Sequence, residues 1–270
     1  MDAAHRDELE ALSEDQFQQY QQQGYVVVEG VLDEEFLETV TARLREYTHG
    51  DREPEAFAAQ NEPAVERGEV DVDDPGNAVR KLEGLGMVEE DAVFRDVAHH
   101  DPIVDVAADL LGPHLKLLRS AAMLKPPEIG SEKSFHQDAA YYPIRPYDHV
   151  TVWVALDDAT TENGCMRVVP GGHTDGLLNH ETRDYETDIV VADDRYDTDD
   201  AVPVPMEAGS ALFSHCLVPH YTEENRSSDW RRALIASYMT SRSRFTQPEE
   251  ERPDWVDSHH VRGESFPGCV

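Results

Sequence analysis

From Leu115 to Thr240 the chain reads as a succession of short strands, each closed by a turn signal, and that succession limits the fold more than any other feature. Leu115–Leu124, Val150–Leu156, Cys165–Val169, Ala211–Ser214 and Arg232–Thr240 are rich in apolar and β-branched residues. Pro170-Gly171-Gly172 and Gly209-Ser210 punctuate them. Short strands at this spacing argue for a sandwich or barrel.

The N-terminal part reads differently. Ser13-Glu14-Asp15-Gln16 is a capping box, with Leu12 and Phe17 placed for the hydrophobic staple, so a helix is expected over Glu14–Gln22. Gly24 ends it, Tyr25–Val28 reads as a strand, and Asp33 caps a second helix with Phe36, Leu37, Val40 and Leu44 on one face. Residues 50–76 lack a clear period and are expected to form a surface loop, with or without a short helix, that carries no evident chemistry. Two short helices come after it, near Glu89–Ala98 and Pro102–Leu111, closed by Gly112-Pro113. Asn179–Asp200 is crowded with Asp, Glu, Thr and Arg and is expected to be an exposed, mobile insertion. The expected organisation is one domain over 1–270: a mainly helical region 1–114, a β core 115–245 and a C-terminal tail 246–270.

Charge excludes several function classes. The formal net charge is −33, from 56 Asp and Glu against 23 Lys and Arg, and only four of the cations are Lys (81, 116, 125 and 133). Concentrated salt cuts the screening length to about 3 Å at 1 M, which lets so acidic a surface stay folded, so a halophilic cytoplasmic protein is expected. Phosphate backbones are bound by clusters of Lys and Arg, and nucleic acid is therefore not an expected partner. No run of about 18 apolar residues exists, and no membrane insertion is expected. Cys165, Cys216 and Cys269 lack metal-ligand spacing and are odd in number, as in a reducing compartment.

Five positions carry a His followed two residues later by an Asp: His5, His49, His99, His136 and His173. An acidic chain with 13 His produces this pair by chance. Only His136-Gln137-Asp138 lies among apolar and aromatic residues (Phe135, then Ala139, Ala140, Tyr141, Tyr142, Pro143), where polar groups are costly to bury unless they bind something. On a regular strand the two side chains would share a face. With a distant second His they would make a 2-His-1-carboxylate facial triad for Fe(II). His220 and His215 compete for the third place, and His220 is favoured by the residues downstream of it. These are Asn225 and then Arg231, whose planar fork suits bidentate capture of a carboxylate such as the far end of a dicarboxylic co-substrate. Arg231 and Arg232 point to opposite faces of a strand, and alternation alone leaves open which one is inside.

These residues resemble the phytanoyl-CoA dioxygenase family. The likeness is densest in Lys125-Pro126-Pro127, His136-Gln137-Asp138, Tyr141-Tyr142-Pro143-Ile144-Arg145-Pro146, Trp153 to Asp158, Glu162-Asn163-Gly164-Cys165, Val169-Pro170-Gly171-Gly172-His173, and His220 through Asn225 to Arg231. The resemblance implies a mostly β fold, a double-stranded β-helix of the jelly-roll or cupin-like kind with flanking helices. It implies an Fe(II)- and 2-oxoglutarate-dependent dioxygenase using O2, with His136, Asp138 and His220 as iron ligands and Arg231 on the distal carboxylate of 2-oxoglutarate. Trp153, Lys81 and Thr222 fall where the family contacts that co-substrate. Gly172 stands where the family usually has Ser or Thr, and His173 ends the same turn in a structural role. Asp138 is present where related halogenases have a small residue, which argues for hydroxylation. The implied substrate is a branched acyl-CoA such as phytanoyl-CoA; a small free metabolite such as a compatible solute is the alternative. The rival from another class is a metal-binding β-helix protein without turnover, or a Zn hydrolase, neither of which needs Arg231.

Overall fold

The computed structural model describes residues 9–50, 52, 58–85, 91–182, 189–192, 194–248 and 258–270. The N-terminal part contains α1 (Glu14–Gln23), β1 (Tyr25–Val28), α2 (Glu34–Thr48), β2 (Ala58–Asn61), α3 (Pro63–Glu66), β3 (Val79–Glu83), α4 (Ala92–Ala98) and α5 (Asp101–Leu111). Next come β4 (Leu115–Lys125), β5 (Lys133–His136), β6 (Ile144–Arg145), β7 (His149–Ala155), β8 (Met166–Val168), β9 (His180–Thr182) and β10 (Ile189–Val191). The last strands are β11 (Val202–Val204), β12 (Ala211–His215), β13 (His220–Thr222), β14 (Arg231–Thr240), β15 (Arg244–Phe245) and β16 (His259–Arg262).

Local chemistry sets the helix ends. Ser13 and Gln16 close the capping box of α1, and the chain leaves the helix through Gly24 at φ 81. A Cβ on Gly24 would lie 2.5 Å from both the His173 ring and Val218, so this turn needs glycine for space as well as for its left-handed backbone. Asp33 caps α2 by accepting from the Phe36 N–H at 2.8 Å. Asp91 caps α4 and also takes Arg43 at 2.8–2.9 Å and Tyr47 at 2.8 Å, which ties α2 to α4. The helix expected from Glu89 therefore starts after Asp91; residues 89 and 90 lie outside the described residues.

The strands build two facing sheets. One has the order β1-β12-β7-β14-β4-β3-β2, with β16 also on β4; the other has the order β11-β8-β13-β5. On β7, Val150, Val152 and Val154 pack with the helices, against Ile103, Val106 and Leu110 of α5. Trp153 and Ala155 turn the other way and meet Met166, Val168 and Val204 of the smaller sheet. All seven residues of β7 are buried, and all but His149 and Thr151 are apolar, as suits a strand covered on both faces. Each fully buried aliphatic side chain contributes about 1.5–3 kcal/mol, so this two-faced burial anchors the larger sheet. The architecture is mostly β with flanking helices, a jelly-roll pair of sheets and not a closed barrel.

Two expectations are corrected. The loop expected over 50–76 contains, besides the short helix α3, the strand β2, which pairs with β3 at the edge of the larger sheet; β3 in turn places Lys81 opposite Met123 and Glu83 opposite Ala121 on β4. The tail 246–270 supplies β16, which pairs with Leu115–Leu117. The segment 179–200 is exposed at most of its described positions, as expected, and holds a two-stranded pair, β9 with β10; residues 183–188 and 193 lie outside the described residues.

Candidate active site

His136 and His220 face each other directly, because β5 and β13 are antiparallel neighbours in the smaller sheet. Their ring centroids are 4.3 Å apart. One detail differs from expectation. β5 stops at His136, and Asp138 opens a 3-10 turn over Asp138–Ala140, although Gln137 between them stays extended. His220 begins its own short strand in the smaller sheet, whereas β12 belongs to the larger one.

The two imidazoles are oriented alike. His136 Nδ1 contacts the Ser134 carbonyl at 2.6 Å, and His220 Nδ1 contacts the Val218 carbonyl at 2.9 Å. A carbonyl only accepts, so each Nδ1 carries a proton, and in the neutral ring the lone pair is then on Nε2. Both Nε2 atoms lie 3.8 Å from Asp138 Oδ1. That is too long for a hydrogen bond and suits donor atoms arranged round one ion. The three residues offer ligand atoms within 4.8 Å of one another, and all are buried. The donor set, two neutral imidazoles and one carboxylate, fits Fe(II). Burial and the neighbouring His220 and Lys133 hold the His136 imidazole well below its ordinary range. Burial alone would raise the Asp138 carboxyl, but the two imidazoles, a hydrogen bond from Thr151 and Arg119 bring it down to about 2.

The larger sheet supplies the opposite wall. Along β14, Arg231 pairs in register with Lys125 and Ala233 with Met123 and Ala155, while Leu234, Ala236 and Tyr238 pack on the helices. Arg231 is therefore the inward residue. Arg232 points out and closes a bidentate pair with Asp157 at 2.6 and 2.8 Å. Arg231 is 3% exposed, its Cζ lies 5.3 Å from the Trp153 ring centroid, and its Nε has no hydrogen-bond partner. Burial lowers its pKa to about 10, the mark of a guanidinium short of counter-charge. Buried Lys125 donates to the carbonyls of Ser131 and Glu223. Thr222 Oγ1 is also buried without a partner. Trp153 is thus brought to Arg231, and Thr222 lies two residues beyond His220.

Lys81 stands elsewhere on the inward face. It forms an ion pair with Glu83, which Arg119 also holds at 2.7 and 3.0 Å. Close by the triad, Lys133 donates to Tyr141 Oη at 3.0 Å, and the Tyr141 ring is 5.6 Å from that of His136. His215 takes no part in the triad: it ends β12, and its Nδ1 accepts from the Leu217 N–H at 3.1 Å. His173 packs against it with ring centroids 5.4 Å apart.

The phytanoyl-CoA dioxygenase (PhyH) family model matches residues 20–233. The chain belongs to the phytanoyl-CoA dioxygenase family. It is an oxygenase of the non-haem iron, 2-oxoglutarate-dependent kind. A probable phytanoyl-CoA dioxygenase of Caenorhabditis elegans is 30% identical over 239 residues, 84% of this chain and 75% of that protein. The phytanoyl-CoA dioxygenase domain-containing protein 1 of Danio rerio is 28% identical over 275 residues, 89% of this chain and 94% of that one. Among solved structures, the apo form of the non-heme monooxygenase ThoJ superposes with a TM-score of 0.73 at 25% identity, covering 95% of this chain and 86% of that one.

Set beside the phytanoyl-CoA dioxygenase family pattern, the departure at Gly172 has a local reason. A Cβ there would lie 2.7 Å from Pro219 Cδ, immediately before His220. Sequence reasoning assigned no role to Lys125, Glu83 or Thr151. The period-2 alternation of β4, with Arg119, Ala121, Met123 and Lys125 on one face, was the available signal for Lys125. Glu83 lay on a strand whose five residues carry three charges, and no pattern marked it as inward.

Proposed function

We propose that His136, Asp138 and His220 hold Fe(II), and that Arg231 binds the distal carboxylate of 2-oxoglutarate with Trp153 against it and the Thr222 hydroxyl within the same pocket. The observation that carries this reading is the buried Arg231 guanidinium, whose Nε lacks a partner on the wall of a site that also holds the triad. A buried cation without a counter-charge is costly, and a bound dicarboxylate removes that cost. When bound, the metal, 2-oxoglutarate and O2 supply the oxidising power to hydroxylate an unactivated C–H bond. The chain's own part is to fix both imidazole tautomers, to orient the co-substrate through Arg231, and to exclude water behind Trp153 and Ala233. Lys81, paired with Glu83, fits a polar contact to the co-substrate less directly than Thr222 does. Residues 1–270 work on this reading as one cytoplasmic oxygenase domain. Among the described residues no helix is long and apolar enough to cross a membrane.

The substrate this reading takes first is a branched acyl-CoA such as phytanoyl-CoA, from the family's name. A specific observation favours a second: a small free metabolite carrying a carboxylate. Arg119 and Lys81 share the single Glu83 carboxylate on the inward wall. That excess of positive charge near the reacting centre suits a free acid better than a neutral thioester. The test is 2-oxoglutarate consumption in high salt with a branched acyl-CoA, its free acid and its amide. Turnover of the acyl-CoA alone supports the first substrate; turnover of the acid, lost in Arg119→Gln, supports the second. Iron and 2-oxoglutarate binding with no gain in turnover from any of the three would remove both.

A further inference from the structure

The acidic insertion reaches back to the metal loop through one imidazole. His180, the first residue of β9, directs Nδ1 at the Leu178 carbonyl at 2.9 Å. That carbonyl only accepts, so Nδ1 is protonated and Nε2 is the acceptor. Nε2 receives the backbone N–H of Gln137 at 3.1 Å. Gln137 is the residue between His136 and Asp138, and it is fully buried. Its side chain faces away from the triad into the same junction: Nε2 donates to Gly176 O at 2.9 Å and Leu217 O at 2.6 Å, and Oε1 accepts from Leu178 N–H at 2.8 Å. Leu217 precedes Val218, whose carbonyl orients His220. One buried junction thus braces the backbone between two triad residues against the segment that carries the third.

We infer that His180 is a positioning residue for the metal site, and that the base of the acidic insertion is a strut for the His136-Gln137-Asp138 loop. The inference rests on the reading of His136, Asp138 and His220 as metal ligands. Without an acceptor at position 180, a buried N–H is left unpaired, and the cheapest relief is a shift of the peptide that sets the spacing of His136 and Asp138. Groups that orient ligands from behind commonly change metal affinity 10–100-fold when removed.

The probe is Mn(II), titrated into the metal-free full chain in high salt, with free Mn(II) read by electron paramagnetic resonance and the line shape of the bound ion recorded. His180→Leu keeps the bulk and removes the acceptor; His180→Gln offers Oε1 near the place of Nε2. The expected result is binding weakened about 10-fold or more in His180→Leu with a broadened bound-ion signal, and binding within about threefold of wild type in His180→Gln. Metal-free melting curves of both variants confirm that the fold is kept. Wild-type affinity and line shape in both variants overturn the strut, as does an equal loss in both, which assigns the effect to packing and not to the acceptor. A wild-type chain that binds no Mn(II) fails at the earlier step and overturns the triad as a metal site.

Discussion

Arg231 and Arg232 are neighbours on β14 and stand in opposite electrostatic situations. Arg232 shares both Asp157 oxygens at 2.6 and 2.8 Å on the outer side, while Arg231 lies against Trp153 with its Nε bonded to nothing. The pleat of one strand separates a guanidinium paired with a carboxylate from one whose Nε has no partner.

The first prediction rests on that contrast. Arg231→Ala weakens 2-oxoglutarate binding about 10–100-fold, the worth of charge-assisted hydrogen bonds to a buried carboxylate. Arg232→Ala leaves that affinity within about threefold and lowers the melting temperature instead. Calorimetric titration of 2-oxoglutarate into the metal-loaded variants checks both; equal losses would assign the effect to the strand and not to the pocket.

Acid lability is expected from the His149 and His215 side chains. Burial takes both down to about 4, and His149 has neither ring nitrogen hydrogen-bonded. A histidine held neutral in the fold takes up a proton more readily once unfolded. Its contribution is therefore complete above about pH 6.5 and is lost as pH falls toward 4, about 3 kcal/mol at most for His149. Melting temperatures at pH 7.5 and 5, in high salt to screen the carboxylates, should fall with acidification, and fall less in His149→Leu. An unchanged slope in that variant would place the lability elsewhere.

Legibility tracked local signal. The capping box at Ser13, the αL turn at Gly24 and the Asp33 cap were readable because each is complete within a few residues. The apolar strands β4, β7, β12 and β14 were readable because both their faces are buried. β2, β3 and β16 were not: Ala58–Asn61 and His259–Arg262 are short, half-polar and held by register with partners far along the chain. In the site, His136 and Asp138 stood out by their apolar surroundings, whereas Arg231 was set apart from Arg232 only by the family resemblance. The braces behind them, Gln137 with His180, are joined across 43 residues, and no spacing rule connects them.

Gly172→Ser places the family's usual residue where a Cβ meets Pro219 at 2.7 Å. Overpacking of this kind costs about 1–3 kcal/mol. The strain is delivered next to His220, so the variant should melt lower and bind Mn(II) more weakly than wild type. A variant as stable and as tight as wild type would show that Pro219 yields freely.

Salt dependence is expected from the net charge of −33. Below roughly 0.5 M salt, where screening weakens, the protein should lose structure and activity together. Circular dichroism and turnover across a KCl series test this, and full stability in dilute buffer would contradict the halophilic reading.

The central claim is that the triad and Arg231 form one Fe(II) and 2-oxoglutarate site. Its most direct test is anaerobic addition of Fe(II) and then 2-oxoglutarate to the protein in high salt, monitored by visible absorption. The account predicts a metal-to-ligand charge-transfer band in the wild type, none in His220→Ala, and a band in Arg231→Ala that needs far more 2-oxoglutarate. Iron bound at the triad with no band on adding 2-oxoglutarate would contradict it.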